Sequence, residues 1–261
     1  MGCPADPSPH GYPARPTPWQ TRAPMPTPTP TIPPNRSSES SLRAPEVVRT
    51  LDRLHRRARV DLLRIALVAP WVVPEFLGFR KIDEERLSRH MRSTYLPVSR
   101  SQGQMLYLMA RSIDARKIVE FGTSFGISTL YLAAAVKDNG GGLVVGSELD
   151  PSKHAKATEH LREAGLDRFA DVRLGDALKT LADIEAPIDL VLLDGWKDSY
   201  LPILKLLQPK LRPKAVVLAD NIYTFKKALR PYVAYVQSGE NGFVSSTLDI
   251  ADGFELSVFT G

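Results

Sequence analysis

Glu120-Phe121-Gly122-Thr123-Ser124-Phe125-Gly126-Ile127-Ser128 follows the β-branched run Lys117-Ile118-Val119 and leads into an apolar stretch ending near Val136. The order is strand, glycine-bearing turn, helix. Gly122 can take the strained turn and let a ligand approach the backbone, Gly126 lets the next helix pack closely, and Ser128 offers a hydroxyl in the first helical turn. This is a nucleotide-type loop, but it lacks the dinucleotide spacing G-x-G-x-x-G. Glu120 is unfavourable beside a pyrophosphate and compatible with a cationic or uncharged ligand. The next two strands end on acids as well. Glu148 can accept from both hydroxyls of a ribose, and Asp176, in Gly175-Asp176-Ala177, can accept from an adenine amino group. Each feature alone is equally well explained as a tight turn or a helix N-cap. Taken in order, three successive strand ends offer the contacts of one ribonucleoside, and the acid at the first favours the sulfonium S-adenosylmethionine over NAD.

Outward from this loop the chain keeps one rhythm. The pattern predicts helix 101–113, strand 117–121, helix 126–136, strand 143–149, helix 152–164, strand 171–175, a short helix 177–183, strand 188–194, helix 200–211, strand 214–220 and helix 223–236. Two β-rich segments, 243–248 and 253–260, close it. Alternating strands and helices imply an α/β fold, a Rossmann-like, mostly parallel seven-stranded sheet covered on both faces, with ligands at the carboxyl ends of the strands.

The N-terminal part has a different composition. Twelve of the 22 prolines fall within residues 1–34, so residues 1–44 are expected to form a disordered Pro-rich arm. From Pro45, Val47, Val48, Leu51, Leu54, Ala58, Leu62 and Ile65 recur at helical spacing. A second short helix is expected over 83–95. Residues 45–100 therefore read as a helical lid or dimerisation element, and 101–261 as the main domain. Nine arginines against four acids in residues 1–60 account for the whole formal charge of +5, and the remaining residues balance. A neutral main domain argues against an extended nucleic-acid groove. No apolar run approaches the roughly 18 to 20 residues of a membrane span, and no secretory signal is evident, so a cytoplasmic location is expected. Cys3, the only cysteine, reads as inert, and His55, His90, His154 and His160 read as helix-surface residues.

Leu193-Asp194-Gly195-Trp196-Lys197-Asp198-Ser199-Tyr200-Leu201-Pro202 and Leu218-Ala219-Asp220-Asn221 make the reading more specific. With these motifs, the segment Pro97 to Asn221 resembles the catechol and caffeoyl-coenzyme A O-methyltransferases, metal-dependent members of the class I methyltransferases. The resemblance implies that Asp194, Asp220 and Asn221 ligate a divalent metal and that Lys197 is catalytic, with Asp194 beside it. It puts cofactor contacts on Glu120, Gly122, Thr123, Ser128, Glu148, Asp176 and Asp194, with Trp196 beside the adenine. It also implies a homodimer acting on a small hydroxylated acceptor.

The residue types suit that chemistry. Two carboxylates and an amide oxygen form a hard, oxygen-only site suited to Mg²⁺. A free phenol, with a pKa of ~10, is a weak nucleophile at neutral pH, and coordination to a dication favours its phenolate. Beside a dication the ammonium form of Lys197 is disfavoured, which fits it to accept the hydroxyl proton. Simple structural roles compete with each assignment: Asp220-Asn221 as a helix cap, Lys197 as a surface lysine, Trp196 as core. The family's animal members carry a glutamate near the last strands that meets a substrate hydroxyl; here the stretch reads Phe243-Val244-Ser245-Ser246-Thr247-Leu248, which leaves the acceptor unassigned between catechols and other phenols. Trp71, Phe76, Phe79 and Tyr95 are candidates for an aromatic lid or for core. The alternative reading is a metal-independent S-adenosylmethionine-dependent methyltransferase acting on RNA or another non-phenolic acceptor; on RNA it would bind phosphates through the basic arm.

Overall fold

The computed structural model describes residues 40–59 and 98–261, together with Gly2. The greater part of the Pro-rich arm, the helix expected over 83–95, the aromatic lid candidates, Cys3 and His90 lie outside the described residues. Seven strands, β1 Lys117–Phe121, β2 Leu143–Glu148, β3 Ala170–Leu174, β4 Ile188–Leu193, β5 Leu211–Ala219, β6 Phe243–Leu248 and β7 Phe254–Phe259, form one sheet in the order β3-β2-β1-β4-β5-β7-β6. β1 to β5 run parallel, and β7 is antiparallel to both β5 and β6. This is the α/β sheet the sequence predicts.

The helices are α1 (45–59, described to residue 59), α2 Arg100–Ser112, α3 Ile127–Asp138, α4 Pro151–Glu163, α5 Ala177–Thr180, α6 Tyr200–Leu207 and α7 Lys226–Gln237. Side chains of alternate strand residues divide between the two faces. Ile118, Val144, Leu190, Leu192, Val216 and Leu218 join a core with α1, α2 and α3. Val119, Phe121, Val145, Val191, Leu193 and Val217 join a second core with α6 and α7. The central strands β1, β2, β4 and β5 are therefore largely buried on both faces, which explains their nearly continuous apolar sequence, whereas the edge strands β3 and β6 are half-exposed and mix in polar residues.

Several expected boundaries move. The turn Ser41–Arg43 is ordered, because Ser41 donates through its amide and hydroxyl to Asp138 at 2.9 and 2.5 Å; the folded part thus begins before residue 45. α5 stops at Thr180, and α6 stops at Leu207 where Pro209 enters a 3-10 turn. β5 starts at Leu211, three residues early, and accommodates Pro213 where its register against β4 shifts. Proline lacks a ladder donor and is tolerated at such an irregularity. α7 begins at Lys226 because residues 221–225 form a turn held by the β6–β7 hairpin.

Two histidines are corrected from surface to core. His55 is buried and pairs through Nε2 with the Tyr131 hydroxyl at 3.2 Å, and His160 is buried with Nδ1 2.9 Å from the Phe125 carbonyl. His154 is half-buried against the Val172 carbonyl. A polar ring enters an apolar face when its nitrogens find partners. Of the apolar stripe expected to serve a lid or dimer contact, Val47, Leu51, Leu54 and Ala58 are buried in the first core, Val48 is exposed, and Leu62 and Ile65 lie outside the described residues. Among the described residues, no helix is long and apolar enough to cross a membrane.

Candidate active site

Parallel register brings β1, β2, β4 and β5 to a common edge, with Phe121 beside Ser147 and Leu193, and Leu193 beside Ala219. The residues that follow these strand ends build the site. Gly122 has φ +97°, and a Cβ there would lie 2.6 Å from the Asp194 backbone. Only glycine serves at this crossing of two strand ends.

The β1 loop folds around Glu120, which is fully buried. The Thr123 and Thr129 hydroxyls donate to its Oε2 at 2.9 and 2.5 Å, while Oε1 accepts no hydrogen bond. Burial raises its pKa, against the pull of the hydroxyls around it, Ser128 among them. Thr123 thus supports the loop from inside: its amide also donates to the Ser147 carbonyl. Glu148 locks the neighbouring loop by accepting from the Ser124 amide at 2.7 Å and the Asp150 amide at 2.8 Å, one on each oxygen. Each carboxylate oxygen retains a second acceptor site. Asp176 is exposed and caps α5 through the Leu178 amide, and Trp196 is half-buried against the second core. Those two residues have the structural roles weighed in the sequence, at the rim of the same edge.

Across the edge, Asp194, Lys197, Asp220 and Asn221 come together. Lys197 Nζ donates to Asn221 Oδ1 at 2.6 Å and to the Tyr200 hydroxyl at 2.7 Å, and lies 3.6 Å from Asp194 Oδ1. It also sits over the rings of Tyr200 and Phe225. Asp220 accepts from Gln102 Nε2 at 3.1 Å on each oxygen and from the Asn221 amide at 2.7 Å. Burial raises the pKa values of Asp194 and Asp220 and lowers that of Lys197, and the attraction between lysine and carboxylates opposes these shifts. The buried Asp220 and the half-buried Asp194, facing one lysine, leave a deficit of positive charge that a bound cation would relieve. Among the described residues no three His, Cys, Asp or Glu side chains gather as a metal cluster. A cation here would therefore rest on two carboxylates and the Asn221 amide oxygen, a donor set that fits a hard divalent ion.

Three members of this centre escaped sequence reading. Gln102 shows as the third helical residue of a capping box opened by Ser99, a signal of a helix start that says nothing of Asp220. Tyr200 lies inside the motif but reads as helix core. Asp252, whose Oδ2 is 3.4 Å from Asn221 Nδ2, reads only as part of an Asp-Gly turn.

The sheet order and the strand-end loops define a class I methyltransferase fold, and comparison with known proteins agrees. The sequence profile of the methyltransferase domain matches residues 119–222. The O-methyltransferase TomG from Streptomyces achromogenes, solved in complex with SAM, superposes with a TM-score of 0.60 at 27% identity, over 80% of this chain and 99% of that one. An O-methyltransferase from Bacillus cereus in complex with SAH shares the fold at 22% identity, with a TM-score of 0.60 over 79% of this chain and 100% of that one. Pig catechol O-methyltransferase is 30% identical over 178 residues, which cover 63% of this chain and 93% of that protein. The chain belongs to the catechol O-methyltransferase family. It is also 36% identical to the Mycobacterium tuberculosis catechol O-methyltransferase over 129 residues, 49% of this chain, and 31% identical to that of Niastella koreensis over 138 residues, 51% of this chain. It spans only 57% and 62% of the lengths of those two relatives.

Proposed function

We propose that this chain transfers a methyl group from S-adenosylmethionine to a hydroxyl of a small catechol-like or other phenolic acceptor, with Mg²⁺ or a similar divalent cation held by Asp194, Asp220 and Asn221. The observation that carries this reading is the placement of Lys197 Nζ in hydrogen-bond contact with Asn221 Oδ1 and 3.6 Å from Asp194 Oδ1, next to the buried Asp220. The family and the SAM complex of TomG support the cofactor assignment. So does the buried, unpartnered Glu120 Oε1 beside Gly122, which suits a cationic ligand better than a diphosphate.

The cation, when bound, supplies a Lewis acid for two adjacent acceptor oxygens. The cofactor, when bound, supplies an electrophilic methyl on its sulfonium. Lys197 holds the place of the base, accepting the acceptor's hydroxyl proton at Nζ. Tyr200 and Asn221 fix the direction in which Nζ points. Glu148 and the Gly122 turn hold the nucleoside, and Asp194, whose backbone packs against Gly122 and whose Oδ1 lies 3.6 Å from Lys197, links that turn to the base. Positioning of this kind is the main contribution a protein makes to an in-line methyl transfer. The expected homodimer and cytoplasmic location belong to the same reading and rest on the resemblance and the sequence rather than on the site.

The test is methyl transfer from labelled S-adenosylmethionine to a panel of catechols and single-hydroxyl phenols, with Mg²⁺ and then with EDTA. Preference for vicinal hydroxyls, abolished by EDTA, is the expected result. Equal rates on both acceptor classes, unaffected by EDTA, would exclude chelation of the acceptor.

A further inference from the structure

Asn221 begins the turn after β5 in a left-handed conformation, with φ +65°, where a residue with a Cβ is strained. Its amide lies between a donor and an acceptor: Oδ1 accepts from Lys197 Nζ at 2.6 Å, and Nδ2 donates to Asp252 Oδ2 at 3.4 Å. Rotation of the amide by half a turn would set its oxygen against the Asp252 carboxylate and its NH₂ against the Lys197 donor. The surroundings thus permit one orientation only.

Asp252 is itself fixed from the other side. Its Oδ1 accepts from the Thr224 amide at 3.1 Å and from the Thr224 hydroxyl at 2.9 Å. The Tyr223 amide donates to the Asp252 carbonyl and the Ile222 amide to that of Gly253. The β6–β7 hairpin therefore grips the turn that carries Asn221 by backbone and side chain together. We propose that Asp252 is a positioning residue that acts through Asn221, holding its amide oxygen toward the cation site and its strained backbone in place. The inference rests on the metal-site reading above. Partners that orient a ligating group commonly change metal affinity by about 10- to 100-fold when removed.

The experiment titrates Mn²⁺ into the full chain in the presence of S-adenosylhomocysteine, reading free Mn²⁺ by electron paramagnetic resonance, with S-adenosylhomocysteine affinity and melting temperature measured alongside. Asp252→Asn keeps the shape and the acceptor for Thr224 but turns a donor toward Asn221. It should weaken Mn²⁺ binding by roughly tenfold or more and leave S-adenosylhomocysteine affinity within about twofold. Asp252→Glu, which keeps the carboxylate, should recover most of the loss. Asp249→Asn removes an equal charge from an exposed site on the same loop and should change nothing.

In an Asn221→Ala background, Asp252→Asn should cause no further loss, because its effect passes through the missing amide. Additive losses would overturn the proposal in favour of simple charge removal. Wild-type affinity in Asp252→Asn would overturn it alone, whereas failure of the wild type to bind Mn²⁺ would overturn the metal site as well. If Asp252→Asn does not fold, Asp252→Glu and Thr224→Val decide: unchanged affinity in Thr224→Val, which frees one side of Asp252, contradicts the proposal.

Discussion

Lys197 Nζ has Asn221 and Tyr200 as hydrogen-bond partners and Asp194 just beyond. Burial disfavours its charge, and the nearby carboxylates favour it. A methionine of similar length in its place keeps most of the packing and takes away the proposed proton acceptor. Lys197→Met should therefore lower kcat by about 10²- to 10⁴-fold with little change in S-adenosylmethionine affinity, checked by steady-state kinetics and calorimetry. Glu148 has the complementary profile. Glu148→Ala removes the anchor of the Ser124 and Asp150 amides as well as the proposed ribose contact, and should raise the KM for S-adenosylmethionine more than it lowers kcat. The residues proposed to carry the chemistry were legible because Asp194, Lys197, Asp220 and Asn221 fall in two short motifs at strand ends. Their supports were not, since Gln102 and Asp252 are 118 and 31 residues from the side chains they hold. No local pattern encodes such pairings.

Helix α2 is joined to the site by its own cap. Ser99 accepts from the Gln102 amide while Gln102 Oε1 accepts from the Ser99 amide, which leaves Gln102 Nε2 for Asp220. Ser99→Ala should cost about 1 kcal/mol in urea denaturation and should also weaken Mn²⁺ binding as Gln102 loosens. Helix α1 carries a pH dependence. Burial first, then Arg100 and Arg59, lower the pKa of His55 from 6.5 to about 4, while Asp52 opposes them. The unfolded chain takes up this proton near 6.5 and the folded chain only near 4, so stability present above 6.5 is lost as the pH falls through that window. His55→Gln should flatten the decline between about pH 7.5 and about pH 5 by roughly 1 kcal/mol after solvent screening. That this face is core was hidden because histidine reads as polar, and only the Tyr131 hydroxyl, 76 residues away, makes its burial tolerable.

For the molecule as a whole, the sheet was legible because the central parallel strands, buried on both faces, give largely apolar runs that alternate with helices, whereas the edge strand β3 carries Asp171 and Arg173 and was legible mainly from its place in that alternation. Connections and ends were less so. Pro213 in β5 and the early stop of α6 follow from a register shift and a turn that depend on neighbouring strands, not on local propensity. Val47, Leu51, Leu54 and Ala58 of α1 are buried in their own core while Val48 is exposed, and the homodimer is a proposal that rests on the resemblance and the sequence. Light scattering at micromolar concentration should show a dimer, and a monomer would refute it. We propose that two strand-end carboxylates and an amide assemble a cation site at which a hydroxyl is methylated. The most direct measurement is the initial rate of methyl transfer to a catechol as a function of added Mg²⁺, for the wild type and Asp194→Ala after chelation of bound metal. Saturable activation of the wild type, with Asp194→Ala inactive at every Mg²⁺ concentration, is the predicted result; equal, Mg²⁺-independent rates in both proteins would contradict it.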